Sequence, residues 1–366
     1  MEKRTIALIA ALILIAGAIA ALSSIAPNRS YTAIPVSPGN RTAIDEIKAK
    51  TYPYAKEIED PSGFVNVDNI TIASLVGKDV ILIDFWTYSC INCERTIPYL
   101  NLWYAKYHPY GLEIIGVHTP EFQFEHDINN VRAAVQKFGI QYPVVLDNDY
   151  ATWDSYGNQY WPEDYLIDID GFIRYKNIGE GNYNETETEI QSLLQERATE
   201  LNLSLTIPDT ISVPADAVSI NYGDVQSPET YFGSGRNQYL ANGIAGTPGN
   251  QTLVMPSVLQ ANELYLAGPW LFTDQYAENT GNASVMYEYN AKNVYLVASA
   301  DMPVPVHVLL DGQPIAGTAG SDVVNGTVTV QANQLYTLVL GNDYGTHTLE
   351  LDIPSPGLKA YTFTFG

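Results

Sequence analysis

The only two cysteines of this chain, Cys90 and Cys93, stand three positions apart, a short step beyond Val80-Ile81-Leu82-Ile83-Asp84-Phe85-Trp86. That run is apolar except for one carboxylate and reads as a β-strand buried on both faces. Thr87-Tyr88-Ser89 reads as a short turn. From Cys93 to Tyr107 the apolar positions Ile97, Leu100, Trp103 and Tyr104 recur with helical period. The sulfur pair therefore sits where a core strand hands over to a helix, with Cys90 at the helix N-terminus.

A pair at this spacing can be a redox couple, half of a metal site, a haem attachment or a structural staple. Tetrahedral zinc needs four ligands, and there is neither a third cysteine nor a closely spaced pair among His108, His118, His126, His307 and His347. Haem attachment requires histidine directly after the second cysteine, where Glu94 stands. A staple between residues this close removes little entropy from the unfolded chain. The reading left is a thiol/disulfide couple, with no cofactor beyond the dithiol itself.

Asp84 is the misfit of the strand. A buried carboxylate without a partner is costly, so the group either keeps its proton or finds a hydrogen bond, and in that setting it can exchange protons with the inner thiol. The plainer alternative is an aspartate at a strand end with its head in water. Unpaired N–H groups at a helix start favour thiolate at Cys90. Cys93, one turn in, is more shielded and suits the resolving role. Pro98 removes one backbone hydrogen bond inside this helix.

ILIDFWTYSCINCERTIPYL resembles the active-site segment of thioredoxin-fold proteins. The resemblance assigns Asp84 to the buried acid, Cys90 to the nucleophile, Cys93 to the resolving cysteine and Pro98 to the helix-kinking proline. It also places Trp86, Ser89 and Trp161 along a substrate groove. Ile91-Asn92 between the cysteines differs from the Gly-Pro of thioredoxin itself, so no redox potential carries over. Downstream, strands are expected at Leu112–Val117 and Tyr142–Leu146, with helices at Val131–Phe138 and Asp147–Tyr156. This inserted strand and helix resemble the redoxin branch, which includes membrane-tethered cytochrome c maturation thioredoxins. By that similarity Trp161-Pro162 is a cis peptide facing the dithiol, before a strand at Tyr165–Asp168; the alternative is an ordinary trans proline in a loop. Peroxiredoxins share the fold and place threonine three residues before their cysteine, as Thr87 stands to Cys90. They also carry proline where this chain has Ile83, and an immediate CxxC partner suits thiol exchange better than peroxide attack.

At 366 residues the chain can hold two domains. Residues 1–25 carry an uncharged run from Thr5 to Ile25, just long enough for a membrane span. A cleaved signal peptide and a retained anchor both fit, and the reading favours the anchor. Lys3 and Arg4 would hold the start in the cytoplasm, so that the chain beyond Ile25 is exported. Eight N-x-S/T sequons, at Asn28, Asn40, Asn69, Asn184, Asn202, Asn250, Asn282 and Asn325, agree with export. Residues 26–52, with Pro35-Val36-Ser37-Pro38-Gly39, read as a tether. A net charge of −23 argues against nucleic acid and anionic lipid as partners.

The thioredoxin-like part is expected over residues 53–207, closing with a strand at Phe172–Tyr175 and a helix from Glu185 to about Leu201. Over 208–366 short alternating runs dominate, among them Glu263–Ala267, Asn293–Val297, Pro305–Leu310, Gln334–Leu340, Thr346–Ile353 and Lys359–Phe365. With Asp311-Gly312 and Asn325-Gly326 as turns, they read as an antiparallel sandwich. ETYFGSGR, ELYLAGPWLF, VLLDGQPI and KAYTFTFG, together with FWTYSCINC, GVHTPEF, LDNDYATW and YGNQYWP, resemble DipZ-type proteins. Those proteins join a membrane electron carrier, a thioredoxin-like domain and a carbohydrate-binding-module-like jelly roll. Here a single hydrophobic segment stands in place of the multi-span carrier. The resemblance thus implies an α/β thioredoxin-like fold followed by an all-β jelly roll. It implies a disulfide reductase of exported proteins, supplied with electrons by a separate transmembrane dithiol carrier of the CcdA/DsbD type. Trp270, Tyr231, Tyr265 and Tyr289 are candidates for a glycan face, although aromatics on alternating strands also serve as packing. The competing reading is a surface binding protein with the thioredoxin-like half as scaffold.

Overall fold

The computed structural model describes residues 46–366. The expected anchor and most of the tether lie outside the described residues. Among the described residues no helix is long and apolar enough to cross a membrane.

The first domain is built on a six-stranded mixed sheet. Its strands are β1 (Gly63–Val65), β2 (Val80–Trp86), β3 (Leu112–His118), β4 (Val144–Leu146), β5 (Glu163–Ile167) and β6 (Ile173–Ile178), in the spatial order β1-β4-β3-β2-β5-β6. β2, β3 and β4 run parallel, whereas β1, β5 and β6 pair antiparallel to their neighbours. All seven residues of β2 are buried because helices cover both faces of the sheet. One face carries α2 (Ile91–Tyr107), α3 (Ile128–Lys137) and α5 (Tyr183–Glu200), packed through Ile97, Leu100, Trp103, Val131 and Leu194. The other carries α1 (Ile72–Leu75) and α4 (Ala151–Tyr156), packed through Ile72 and Trp153. Alternation along β2 follows this division: Leu82 and Trp86 point to the α2 side, Ile81, Ile83 and Phe85 to the other. Asp84 shares the parity of Leu82 and Trp86 and so faces α2.

Between Leu201 and Thr230 the chain forms no regular element. Beyond it lies an antiparallel sheet of eleven strands. Two long strands dominate, Ala283–Ser299 and Gln334–Ile353, paired along most of their length. The separate runs expected at Gln334–Leu340 and Thr346–Ile353 are the two halves of one strand. The polar stretch between them faces a register shift at Ala291/Asn293, and such a bulge bends a strand without ending it. Because of that bend, the first half of Ala283–Ser299 pairs with Leu264–Phe272 and the second half with Lys359–Phe365. The sheet folds over on itself around Trp270, Tyr287, Leu296, Leu338 and Phe363. Asp311-Gly312 and Asn325-Gly326 have positive φ at both positions, the type I′ geometry that a tight hairpin requires.

The two domains meet through a small apolar cluster. Ile91 and Phe122 of the first pack with Tyr295, Val297, Leu335 and Tyr361 of the second. Polar contacts surround it: Gln123 N–H donates to Gln275 Oε1 at 2.9 Å, and the Arg236 guanidinium lies 2.7 Å from Glu121 Oε1.

Candidate active site

The helix after β2 begins at Ile91, two residues before the expected start, and Cys90 is its N-cap with extended backbone (φ −89°, ψ 119°). No side chain caps this end, so the helix leaves its first-turn N–H groups without a side-chain acceptor next to Cys90. Cys90 is partly exposed, Cys93 is buried, and both are free thiols. Pro98 lies inside the helix. The Trp161-Pro162 peptide is cis. The Trp161 carbonyl oxygen accepts from Cys90 Sγ at 3.9 Å, so the loop before β5 lies against the outer sulfur.

Beneath the dithiol the site is acidic and buried. Asp84 is 1% exposed, and burial together with Asp164 holds its carboxyl well above the usual range. Cys93 is raised likewise by burial, the adjoining Cys90 thiol and the Asp84 carboxyl. Asp164 stands directly opposite Asp84 in the β2–β5 ladder, and burial pushes it up to about 7. Reading the strand as starting at Tyr165 leaves Glu163 and Asp164 in a loop. In the structure β5 begins at Glu163, and this places both acids in the sheet.

A second buried acid, Glu125, organises the other side of the dithiol. It accepts from the Ser89 hydroxyl at 2.7 Å and from the backbone N–H of Phe122 at 2.8 Å. Burial raises it to about 7 although these donors oppose the shift. One side chain thus ties the turn before Cys90 to the segment that meets the second domain. His118, also fully buried, is lowered to about 3 and is a neutral imidazole. Nothing in the sequence around Glu125 distinguishes it from the other acids of PEFQFEHD, because its role depends on burial.

The three expected groove residues differ in their placement. Trp161 lines the groove, with its indole N–H donating to the Thr119 carbonyl at 3.1 Å. Ser89 is largely buried by its bond to Glu125 but borders the same cavity. Trp86 does not reach it: its ring is fully buried and meets His118 edge-on at 5.1 Å, since its strand parity turns it into the core. The cavity at Cys90 measures about 330 Å³, and its far wall belongs to the second domain, through Tyr222, Glu229, Tyr231, Arg236 and Phe365. Tyr231 donates to Glu121 at 2.8 Å, while the Arg236 guanidinium lies 3.6 Å above the Tyr231 ring. Of the four aromatics considered for a glycan face, Tyr231 is therefore at the dithiol. Trp270, Tyr265 and Tyr289 are buried in the β-domain, where they serve as packing.

Among the described residues Asp168, Asp170 and Glu196 bring three carboxylates within metal-ligand reach. Lys48 Nζ sits 3.0 Å from Asp168 and 2.6 Å from Glu196, and Arg174 2.9 Å from Asp168. The chain's own cations occupy this cluster.

Residues 55–176 match the model of the AhpC/TSA family, and residues 227–366 that of the thioredoxin-like C-terminal domain. Protein DipZ of Mycobacterium tuberculosis is 39% identical over 320 residues, covering 85% of this chain and 43% of DipZ. The chain thus spans less than half the length of that relative. Thiol-disulfide oxidoreductase ResA of Bacillus thuringiensis is 32% identical over 124 residues, covering 34% of this chain and 68% of ResA. YkuV of Bacillus subtilis, also a thiol-disulfide oxidoreductase, is 28% identical over 127 residues, covering 35% of this chain and 85% of YkuV. With a partly exposed and a buried thiol at a strand-to-helix junction, and with these relatives, the chain belongs to the thioredoxin-like thiol-disulfide oxidoreductases.

Proposed function

We propose that the protein is a membrane-tethered, extracytoplasmic reductase of disulfides in exported proteins. The observation that carries the reading is the asymmetry of the dithiol: Cys90 opens into a cavity, while Cys93 is buried behind it among acids. Cys90 thiolate attacks one sulfur of a substrate disulfide. The substrate S–S bond breaks, a Cys90–substrate disulfide forms, and the first substrate thiolate leaves and takes up a proton. Cys93 then loses its proton toward Asp84 and attacks Cys90 Sγ. The Cys90–Cys93 disulfide forms and the second substrate thiol departs. Two electrons have passed to the substrate, and an external dithiol must return them. A transmembrane dithiol carrier of the CcdA/DsbD type would supply that dithiol, consistent with an N-terminal segment long enough to hold the domain at the membrane.

The second domain narrows the choice of substrate. Its sheet resembles a carbohydrate-binding-module-like jelly roll, yet it contributes Tyr231 and Arg236 to the wall at Cys90. An extended, disulfide-bearing segment fits between the two domains better than a folded surface does.

A Cys93→Ala variant tests the reading. It is expected to halt at the first step and accumulate mixed disulfides through Cys90, visible as thiol-reversible adducts on non-reducing gels with exported proteins. Absence of any adduct, with Cys90 intact and accessible to a thiol reagent, contradicts it.

A further inference from the structure

We propose that Asp84 and Asp164 form a carboxyl–carboxylate pair that shares one proton beneath Cys93, with Asp164 as the positioning residue that lets Asp84 take the proton of the resolving thiol. The inference rests on the dithiol-exchange reading above and goes beyond the single buried acid that the sequence motif contains.

The geometry is a cross-strand pair. Asp84 and Asp164 are register partners in the antiparallel β2–β5 ladder. Directly opposite residues project to the same face, with Cβ atoms about 4.5–5.5 Å apart. That face is the α2 side, since Leu82 and Leu166, two positions away on either strand, belong to the same core as Cys93. The two carboxyls hydrogen-bond each other, which requires a proton between them. Each retains one oxygen, Oδ1, that is buried without a partner, as are Tyr142 Oη and Trp86 Nε1 nearby. Gly116 explains why these gather here. It pairs with Asp84 on the other side of β2, and a Cβ at Gly116 would come within 2.9 Å of Trp86 Nε1 and 3.2 Å of the Tyr142 ring. Leaving four polar atoms unpaired in a core is expensive, and buried acids beside a thiol are placed to exchange protons with it.

The other groups around the pair leave its proton in place. Glu163 points to the opposite face and is held there by the Tyr165 hydroxyl at 2.9 Å and by Lys176. Asn177 of β6 is the register partner of Asp164, and Tyr175 lies two positions away on the same strand. Tyr142, from the segment before β4, and Cys93, from α2, are the remaining titratable neighbours, and burial raises both. Among the described residues no lysine or arginine joins these neighbours to drive both carboxyls into ionised form.

Like charges at this distance cannot both persist in a buried core, so the pair titrates in two separate steps. Burial places the first near neutrality at Asp164, and the resulting carboxylate, together with burial, holds the proton on Asp84 to much higher pH. When Cys93 must be deprotonated, the shared proton shifts to Asp164. Asp84 then accepts the thiol proton, and the pair becomes doubly protonated. Attack of Cys93 on Cys90 Sγ expels the second substrate thiolate, which recovers that proton. Protons and electrons balance without a further reactant.

Asp164→Asn tests the pair because the substitution keeps shape and removes one titration. In the parent, the rate of second-thiol release in a single turnover is expected to fall on the acid side with a limb near pH 7. In Asp164→Asn a single ionisation is left, that of Asp84, and it lies between the parent's two: above the acid limb, because the shared proton no longer eases the first step, and below the second, because the Asp164 charge is gone. Release at pH 7 should therefore drop tenfold or more and recover as the pH rises. A loss that is uniform across pH, or a limb left in place, overturns the proposal. Infrared spectra of the parent labelled at aspartate carboxyls provide a second measurement that needs neither the variant nor any exchange activity. One protonated buried aspartate carboxyl should be lost around pH 7 and a second should persist beyond that loss, in a separate step at higher pH. If both aspartates lose their protons together, or neither is protonated below pH 7, the pair does not exist, whatever the fate of the exchange reaction.

Discussion

Cys90→Ser is expected to bring disulfide reduction down to background, a loss of about ten-thousand-fold or more, comparable with removal of a covalent nucleophile elsewhere. A hydroxyl at the helix start gains far less from the backbone N–H groups than a thiolate, because it does not ionise near neutral pH and leaves sulfur poorly. The substitution changes little in packing, since Cys90 is partly exposed at the edge of the core, the hydroxyl is smaller than the thiol, and the bond to the Trp161 carbonyl is a weak one at 3.9 Å. Thermal unfolding should therefore stay within about a degree or two of the parent, as for a surface change of under about 0.5 kcal/mol. Residual turnover at a tenth of the parent rate would mean that Cys93 can attack substrate from its buried position.

Phe122→Ala is the second large effect, and it lies where the domains meet. The ring is fully buried, 5.0 Å from Tyr361 of the second domain and 5.6 Å from Phe124, with the Arg236 guanidinium 5.5 Å from its centroid. Truncating a fully buried phenylalanine costs about 3–5 kcal/mol. Here the loss falls on a small interface cluster, so it should appear as a lower-temperature or lower-denaturant transition of the contact between domains. Tyr231 and Arg236 would then no longer be held over Cys90, and KM for an extended disulfide peptide should rise several-fold while the thiol chemistry at Cys90 persists. A change under about 1 kcal/mol, with KM unaltered, would show that the second domain is not a wall of the working site.

How much of this is legible in the sequence depends on how local each signal is. β2 matches the expected strand residue for residue because an unbroken apolar run is an unambiguous buried strand, and the Cys90 helix start lies within two residues of expectation. Asp84 is identifiable as a misfit within that run. Asp164 is not, because its importance comes from register with a strand far earlier in the chain, and its neighbours Pro162 and Glu163 suggest a loop. Glu125 and Arg236 act through burial and docking that no local pattern encodes. Trp86 misleads for the opposite reason: proximity in sequence to the dithiol suggests the groove, whereas strand parity sends the ring into the core. In the β-domain the alternation locates the strands, but it breaks the long strand Gln334–Ile353 at a bulge that the structure bridges.

The most direct test of the account is a mass measurement on the protein after one turnover with a model disulfide peptide. The account predicts loss of two hydrogens from the protein, mapped to a disulfide between Cys90 and Cys93, with two substrate thiols released for each disulfide formed. Oxygen addition at Cys90 without that disulfide, or release of substrate thiols with both cysteines still reduced, would contradict it.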